Sequence, residues 1–373
     1  MRNSGNIWLS LVLTCALLCC GSCAQVSGSA SAASDATSAS VTAATSPAEP
    51  AAVDEDVDTP CQVSYAPYSK YTPFFLSEGD KVAVISPSAL PTREQADATM
   101  AGLKAWGYVP VEGKHVCEQN RTLEDCVEDL TWALTDPEIK AIFCVRGGYG
   151  LSEVMDALPL SLVASGRKLI IGYSDISVGH AAWTVAGLPS VHASMSTAFT
   201  DLPDACVEAE RRMLAGEIPT YTCEANDYCR EGEATGTLIG GNLSTIPSVL
   251  GTAYDCTKIE GPYILFFEDV DEDLESVHRS LTILKHLGVL DRATGIVFGE
   301  WTGVPNDDDD EGASRGGLFA SMDDMISREI LPDIDVPVAF GFPAGHGKRN
   351  YPLLMGAEAR LEVRDGNFTL SWI

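Results

Sequence analysis

Short apolar runs alternate with helical patterns from residue 80 onward, and this alternation constrains the fold more than any other feature. The runs lie at residues 82–86, 141–145 and 169–171, and helical patterns at 92–106 and 123–135 separate them. Strands that alternate with helices are typical of a parallel sheet covered on both faces. The sequence therefore predicts an N-terminal α/β domain with a parallel sheet over residues 71–205.

The pattern becomes more mixed from residue 236 onward. Strand-like runs lie near residues 237–239, 263–267, 295–299, 337–340 and 359–363, and one strong helical pattern covers 274–287. This mixture predicts a second, mixed α/β domain over residues 236–373, joined to the first by a connecting segment at 206–235. Ligands of α/β proteins bind beyond the carboxyl ends of the strands. We expect the site to lie at the interface between the two domains.

Ser174 follows a short apolar run and precedes a helical pattern. The segment reads Lys168-Leu169-Ile170-Ile171-Gly172-Tyr173-Ser174-Asp175-Ile176. A sharp turn between strand and helix lifts a serine hydroxyl out of the backbone, where the next amide N–H can face a developing oxyanion. Ile176 stands where a full nucleophile elbow has a second glycine. The alternative is that Ser174 only caps the helix.

Two later segments each carry a polar group suited to activate a serine. An apolar run at residues 264–270 carries Glu268, and a glycine-rich loop at 338–347 carries His346. A serine hydroxyl needs a base within hydrogen-bond reach, and that base needs an acid to fix its tautomer. The chain order of serine, glutamate and histidine is permitted, because such triads are defined by geometry and not by order.

With these segments in view, the chain resembles the LD-carboxypeptidase and microcin C immunity family of serine peptidases. The resemblance covers roughly residues 72–372 and rests on six segments in order. They are Gly79-Asp80-Lys81-Val82-Ala83-Val84-Ile85-Ser86-Pro87-Ser88, Arg146-Gly147-Gly148-Tyr149-Gly150, Gly172-Tyr173-Ser174-Asp175, Gly240-Gly241-Asn242-Leu243, Phe267-Glu268-Asp269-Val270 and Gly341-Phe342-Pro343-Ala344-Gly345-His346.

The resemblance implies a catalytic triad. Ser174 would be the nucleophile, His346 the general base and acid, and Glu268 the group that orients the histidine. It implies neither a cofactor nor a metal.

The resemblance also implies an oxyanion hole and a substrate contact. The backbone N–H of Asp175 and that of Gly147 or Gly148 would face the oxyanion, since glycine lets the main chain approach a ligand closely. Arg146 and Tyr149 would hold this turn and the terminal carboxylate of the substrate. For Arg146, a structural hydrogen bond is the alternative.

The activity implied by the resemblance is hydrolysis of the L,D-amide that joins the terminal D-alanine to peptidoglycan tetrapeptides. A first alternative is the microcin immunity activity, which cleaves aminoacyl or peptidyl nucleotide amides; Trp301 would be the candidate to stack on the nucleobase, unless it belongs to the core. A second is a peptidoglycan-binding lipoprotein without catalysis. The resemblance also suggests a homodimer.

The first 23 residues have the pattern of an export signal. A basic residue, Arg2, precedes an apolar stretch at 7–18 that is too short to span a bilayer. Small residues precede Cys23 as at a lipoprotein processing site, which predicts lipid attachment at Cys23 and an exported protein anchored to the membrane only by that lipid. Ordinary cleavage nearby, with release of the protein, is the alternative. Residues 24–70 are predicted to be a disordered tether, because most of them are small or polar.

Eight cysteines lie outside the leader, an even number that suggests disulfides in an exported chain. They are Cys61, Cys117, Cys126, Cys144, Cys206, Cys223, Cys229 and Cys256. The local pairs Cys117–Cys126 and Cys223–Cys229 are the predicted bonds. We expect no metal site, because no cysteine–histidine cluster has ligand spacing.

The formal net charge of −29 makes nucleic acids and acidic membrane surfaces poor partners. The acidic run at residues 306–312 invites a calcium interpretation. However, an EF-hand frame starting at Asp307 places Leu318 where a bidentate glutamate is needed. We interpret the run as a solvated loop.

The remaining polar candidates are weaker. His180 and His192 lie close to Ser174 in sequence but have the context of structural histidines, and His278 and His286 lie on the predicted 274–287 helix. Asn242 follows two glycines, where it could cap a helix or support the site.

Overall fold

Two β-sheets form the frame of the described residues, 61–303 and 318–373, in the computed structural model of the protein. The strands are β1 (Cys61–Pro67), β2 (Lys81–Ile85), β3 (Val109–Glu112), β4 (Ile139–Cys144), β5 (Leu169–Gly172), β6 (Ser190–His192), β7 (Glu217–Glu224), β8 (Gly232–Asn242), β9 (Tyr263–Val270), β10 (Ala293–Thr302), β11 (Val338–Ala339), β12 (Leu353–Met355), β13 (Glu358–Arg364) and β14 (Asn367–Trp372). The α-helices are α1 (Arg93–Ala105), α2 (Leu123–Thr135), α3 (Leu151–Ala157), α4 (Leu160–Gly166), α5 (Ser177–Val185), α6 (Asp204–Leu214), α7 (Leu274–His286), α8 (Val289–Arg292) and α9 (Met322–Met325). Short 3-10 turns cover Thr72–Phe74, Ser174–Ile176, Ser196–Phe199, Ile246–Ser248 and Cys256–Lys258, and a π-helical turn covers Ile326–Ile330.

The six-stranded sheet has the order β12-β6-β5-β4-β2-β3. The strands β2 to β6 are parallel to one another, and β12 pairs antiparallel with β6. Every residue of β5 is buried, as are five of the six residues of β4, because helices cover the sheet on both faces. The predicted parallel α/β arrangement is confirmed.

Capping residues explain where the first two long helices begin. The Thr92 hydroxyl accepts the backbone N–H of Gln95 at the start of α1, and the Gln95 side chain accepts the N–H of Thr92 in return. Thr122 and Asp125 form the same capping box at the start of α2. Both helices therefore lie where the sequence predicts them.

The eight-stranded sheet has the order β1-β7-β14-β13-β8-β9-β10-β11. Its strands from β8 to β11 run parallel, whereas β1, β7, β14 and β13 form an antiparallel half. This arrangement confirms a mixed α/β part in which α7 lies where the 274–287 pattern places it. The two parts are not contiguous in sequence, since β12 crosses back to the first sheet.

The predicted end of the tether at residue 70 is wrong. The last residues of the 24–70 tether form β1, whose side chains alternate between buried and more exposed positions against β7. The 206–235 connecting segment contains most of α6, all of β7 and the start of β8. The strands β1 and β7 bury roughly alternate residues, so their apolar signal in the sequence is weak.

The predicted disulfides are also wrong. Cys61 is bonded to Cys223, 162 residues away, because the β1–β7 register places these two residues opposite each other. Cys117, Cys126 and Cys229 have free thiols. Spacing favoured local pairs, whereas a long-range strand pairing decided the connectivity.

Replacing both Cys61 and Cys223 with serine is expected to lower the free energy of unfolding by about 2–4 kcal/mol, because the bond restricts a long loop of the unfolded chain. Thermal unfolding followed by circular dichroism checks this, with Cys117→Ser as the free-thiol control. An unchanged melting temperature in the double variant would contradict a stabilising bond.

Several predictions lie outside the described residues. These are the leader, Cys23, residues 24–60 of the tether and the acidic run at 306–312. Among residues 61–303 and 318–373, no helix is long and apolar enough to cross a membrane.

Candidate active site

Ser174 lies in the tight turn between β5 and α5. Its backbone has a φ of 63°, a left-handed value that is costly for a residue with a side chain and is typical of functional turns. Gly172 has a φ of 154°, and a Cβ there would lie 2.9 Å from Cγ1 of Ile176. Ile176 is fully buried, so the position that lacks the second glycine is filled by a core residue. The elbow geometry is present without the full elbow motif.

The glycine-rich turn after β4 lies directly against the nucleophile. A Cβ on Gly147 would be 2.8 Å from Cβ of Ser174, 3.0 Å from its Oγ and 3.4 Å from the amide nitrogen of Asp175. Gly148 has a φ of 109° and packs against Ala89. The backbone of Gly147 therefore lies beside the hydroxyl and the following amide, the arrangement that an oxyanion hole needs.

Glu268 and His346 form a hydrogen-bonded pair. Glu268 lies on β9 with a fully buried side chain, and its Oε2 is 2.7 Å from Nδ1 of His346, whose side chain is 15% exposed. Gly345 permits this contact, because a Cβ there would lie 2.8 Å from the same carboxylate oxygen. With Nδ1 facing the carboxylate, Nε2 of His346 is left to accept a proton.

The environment of His346 favours its protonated form. Burial alone lowers the pKa of the imidazole, but the hydrogen bond and charge of Glu268, with the charges of Asp269 and Asp271, outweigh it and raise the pKa above the ordinary value. The Tyr173 ring lies 4.7 Å from the imidazole ring. The histidine is thus a stronger base than an exposed one.

Ser174 and His346 line one cavity of about 230 Å³. The other lining residues are Gln95, Val145, Arg146, Gly147, Gly148, Tyr173, Met195, Ser196 and Thr197. The predicted nucleophile and base therefore face the same space, although they belong to loops of different sheets.

The two predicted substrate contacts differ in position. Arg146 lines the cavity, and its Nη1 donates to the carbonyl oxygen of Leu90 at 2.9 Å. Tyr149 is 72% exposed, donates to Glu153 at 3.3 Å and is not among the lining residues. Arg146 has both the structural hydrogen bond and a place on the cavity wall, whereas the side chain of Tyr149 is exposed and bonded to Glu153.

Sequence reasoning missed the support of the His346 loop. Asn350 is buried; its Oδ1 accepts the backbone N–H of Gly345, and its Nδ2 donates to Oγ of Ser194, both at 3.0 Å. Gln95 and residues 195–197 of the cavity wall were also missed. Their only sequence signals are a helix cap and a short polar stretch after β6.

The buried histidines near the elbow are structural. His180 contacts the hydroxyl of Ser190 and the carbonyl oxygen of Gly172, both at 2.9 Å. It therefore supports the turn that follows β5. His192 is fully buried, and burial, with the charges of His180 and His346, holds its pKa well below the ordinary value. Neither histidine lines the cavity.

Asn242 supports the site, one of its two predicted roles. Its Nδ2 donates to Asp269 at 2.8 Å, and its backbone N–H donates to Oγ of Ser177 at 2.9 Å. Gly241 allows this approach, because a Cβ there would lie 2.2 Å from the same hydroxyl. The residue thereby joins the strand next to β9 to the helix that follows Ser174.

Trp301, His278 and His286 are not among the residues that line the cavity. The indole N–H of Trp301 donates to Asp323 at 3.1 Å, and the ring lies 6.0 Å from that of Phe298. His278 lies 3.5 Å from the hydroxyl of Thr282 on the same helix, and His286 is exposed.

Within the described part of the chain, one group of side chains has ligand atoms close enough for a metal ion. Atoms of His115, Asp125 and Glu128 lie within 4.8 Å of one another. However, the two ring nitrogens of His115 already contact Glu118 and Glu128, and the Glu118 contact in particular raises the pKa of the imidazole. The pairing of both ring nitrogens with carboxylates accounts for this cluster.

Gly147→Ala is expected to lower kcat about 10²-fold, the order of loss seen when one oxyanion donor is removed, because the added methyl group would meet Ser174. Gly179→Ala is the control, since a Cβ there meets only side-chain atoms, at 3.3 Å or more. Hydrolysis rates of both variants check this. Equal hydrolysis rates in the two variants would contradict a close approach of the glycine turn to Ser174.

Comparisons with known proteins identify the family of the chain. Models of the LD-carboxypeptidase N-terminal and C-terminal domains match residues 82–193 and 235–361. The chain belongs to the LD-carboxypeptidase family. The matched regions contain Ser174 and Glu268 respectively, and the second also contains His346.

Individual relatives agree with this membership. The murein tetrapeptide carboxypeptidase of Pseudomonas aeruginosa is 30% identical over 300 residues, which cover 76% of this chain and 93% of the relative. The microcin C7 self-immunity protein of Escherichia coli is 23% identical over 335 residues, covering 79% and 94%. The crystal structure of the muramoyltetrapeptide carboxypeptidase from Oxalobacter formigenes is similar, with a TM-score of 0.68, 26% identity, and coverage of 78% of this chain and 97% of that one.

Proposed function

We propose that the protein is a serine LD-carboxypeptidase that releases the terminal D-alanine from peptidoglycan tetrapeptides. The observation that carries this proposal is the placement of Ser174 and His346 on one cavity, with Glu268 2.7 Å from Nδ1 of the histidine. Family membership and the name of the Pseudomonas aeruginosa relative support the substrate class.

The chemistry follows from the geometry. Oγ of Ser174 attacks the amide carbonyl carbon while Nε2 of His346 takes the hydroxyl proton, and Glu268 stabilises the imidazolium that forms. The amide N–H of Asp175 and that of Gly147 or Gly148 would stabilise the oxyanion, since the glycine turn lies against Ser174. His346 then gives its proton to the amine of D-alanine, which leaves, and a water molecule hydrolyses the serine ester by the same steps.

The cavity suits a small terminal residue. Its volume of about 230 Å³ is below the roughly 300–1,000 Å³ of sites for drug-sized ligands, and Arg146 lies on its wall. A guanidinium can pair with the terminal carboxylate, which would favour a carboxypeptidase over an endopeptidase.

Hydrolysis of nucleotide amides is the alternative within the family, and the similarity to the microcin C7 self-immunity protein supports it. The bonded position of Trp301 outside the cavity wall argues against nucleobase stacking on that residue. A non-catalytic peptidoglycan-binding protein is opposed by the paired Glu268 and His346.

Mass spectrometry of a purified tetrapeptide incubated with the full-length protein tests the activity. Loss of one alanine from the peptide supports the proposal. Cleavage of an aminoacyl sulfamoyl nucleotide alone would favour the alternative, and binding of the tetrapeptide without cleavage would favour the binding protein.

We further propose that the protein is exported and attached to the membrane through a lipid on Cys23. The leader pattern supports this, and so does the Cys61–Cys223 disulfide, since such bonds persist in oxidising compartments. Fractionation of cells that produce the wild type or Cys23→Ala tests it: only the wild type should sediment with membranes. Light scattering of the purified protein tests the suggested homodimer.

A further inference from the structure

We propose that the Asp175 carboxylate, together with Ser88, is a positioning clasp that keeps the two amide donors of the oxyanion hole in register. This inference rests on the proposed function and adds a side-chain role for Asp175. Asp175 lies directly after the nucleophile and is 5% exposed. Its backbone N–H is one of the two donors, so movement of this residue changes the hole directly.

The carboxylate bonds to two other elements through a single oxygen. Oδ2 of Asp175 accepts the Ser88 hydroxyl at 2.6 Å and the backbone N–H of Leu151 at 2.9 Å. Leu151 is the first residue of α3, and the turn that precedes α3 contains Gly147. The bond to Leu151 therefore ties the elbow, which supplies one oxyanion donor, to the turn that supplies the other.

The loop after β2 completes the clasp. Ala89 donates its backbone N–H to the carbonyl oxygen of Gly147 at 3.1 Å, and Ser88, next to it, donates to Asp175. The Arg121 guanidinium donates to the carbonyl oxygen of Ser88 at 2.5 Å and so fixes the loop from outside. The glycine turn and the elbow are thus held by the same two consecutive residues.

The end of the sheet explains why a side chain is needed to hold the elbow and the glycine turn in position relative to each other. The elbow and the glycine turn follow neighbouring parallel strands, β5 and β4, whose hydrogen bonds end before either loop begins. Beyond the sheet, the carboxylate bridges the two loops. An oxyanion hole acts only when its donors are preorganised, and a misplacement of about 1 Å can cost about 10²-fold in rate.

Steady-state hydrolysis of the tetrapeptide by Asp175→Ala and Asp175→Asn tests the inference. We expect Asp175→Ala to lower kcat about 10²-fold with KM changed less than about 3-fold, since the loss falls on the transition state. Asp175→Asn can still accept both bonds at its amide oxygen, so it should recover most of this loss. Hydrogen exchange at the amide of Leu151 should accelerate in the alanine variant and not in the asparagine variant.

Asp255→Ala is the matched control. Asp255 is also 5% exposed and accepts backbone and hydroxyl donors from Gly251 and Thr257, but it does not line the cavity. We expect it to lose stability while kcat stays the same. A similar kcat loss in Asp255→Ala, or wild-type kcat in Asp175→Ala, would overturn the clasp.

Ser88→Ala keeps the inference testable if Asp175→Ala does not fold. It removes only the hydroxyl donor and should lower kcat about 10-fold, a smaller misplacement than loss of the whole carboxylate; an unchanged kcat would overturn the role of Ser88. If the wild type does not cleave the tetrapeptide, the proposed function fails. The ratio of each variant's kcat to the wild-type kcat is then measured with an aminoacyl sulfamoyl nucleotide as substrate.

Discussion

Ser174→Ala is expected to lower kcat for tetrapeptide hydrolysis by at least about 10⁴-fold, because it removes the hydroxyl that attacks the amide carbonyl. Release of D-alanine, measured by mass spectrometry with wild type in parallel, checks this. Binding should survive, since Arg146 and the glycine turn, the proposed substrate contacts, are kept. Turnover at the wild-type rate would rule out Ser174 as the nucleophile.

Ser174→Gly is the companion variant. The φ of 63° at Ser174 costs a residue with a side chain about 1–2 kcal/mol, whereas glycine adopts it freely. We expect this variant to be inactive yet at least as stable as Ser174→Ala in denaturant unfolding. A large loss of stability in both would mean that the serine is needed for the fold, which would leave the activity result open to a structural explanation.

The strands that carry the site could be predicted because they are buried on both faces. In β5 and β9 most residues are apolar and buried, so a continuous run marks each strand. Ser174 follows the end of β5, and Glu268 lies near the end of β9. The helical patterns of α1 and α2 are equally local, and both helices begin at a capping box. Local chemistry therefore predicted the parts of the fold nearest to the site.

What sequence could not predict depends on long-range pairing. The pairing of β1 with β7 decides the Cys61–Cys223 bond, and neither strand carries a continuous apolar run. In the same way, Asn350 supports the His346 loop only because Ser194 comes close to it across 156 residues of sequence. Such contacts leave no periodic signal in the chain.

Glu268→Gln is expected to lower kcat by about 10³–10⁴-fold and to shift the pH dependence of kcat/KM. The glutamine amide can donate to Nδ1 of His346, which would leave the wrong nitrogen protonated and Nε2 unable to act as a base. In the wild type the pKa of His346 is raised, because Glu268 and its acidic neighbours outweigh burial. Activity requires the neutral imidazole, so it falls as the pH drops through this raised pKa.

Removing the charge of Glu268 leaves burial as the main influence on His346, and burial lowers the pKa. The acid limb of the residual activity should therefore move to lower pH in Glu268→Gln. Glu210→Gln is the control: Glu210 is a buried carboxyl whose pKa burial raises well above its ordinary value, and it does not line the cavity. A reduced rate with an unmoved acid limb in Glu268→Gln would mean that the carboxylate only supports the fold. A limb that moves in this variant alone assigns the histidine–carboxylate pair to catalysis.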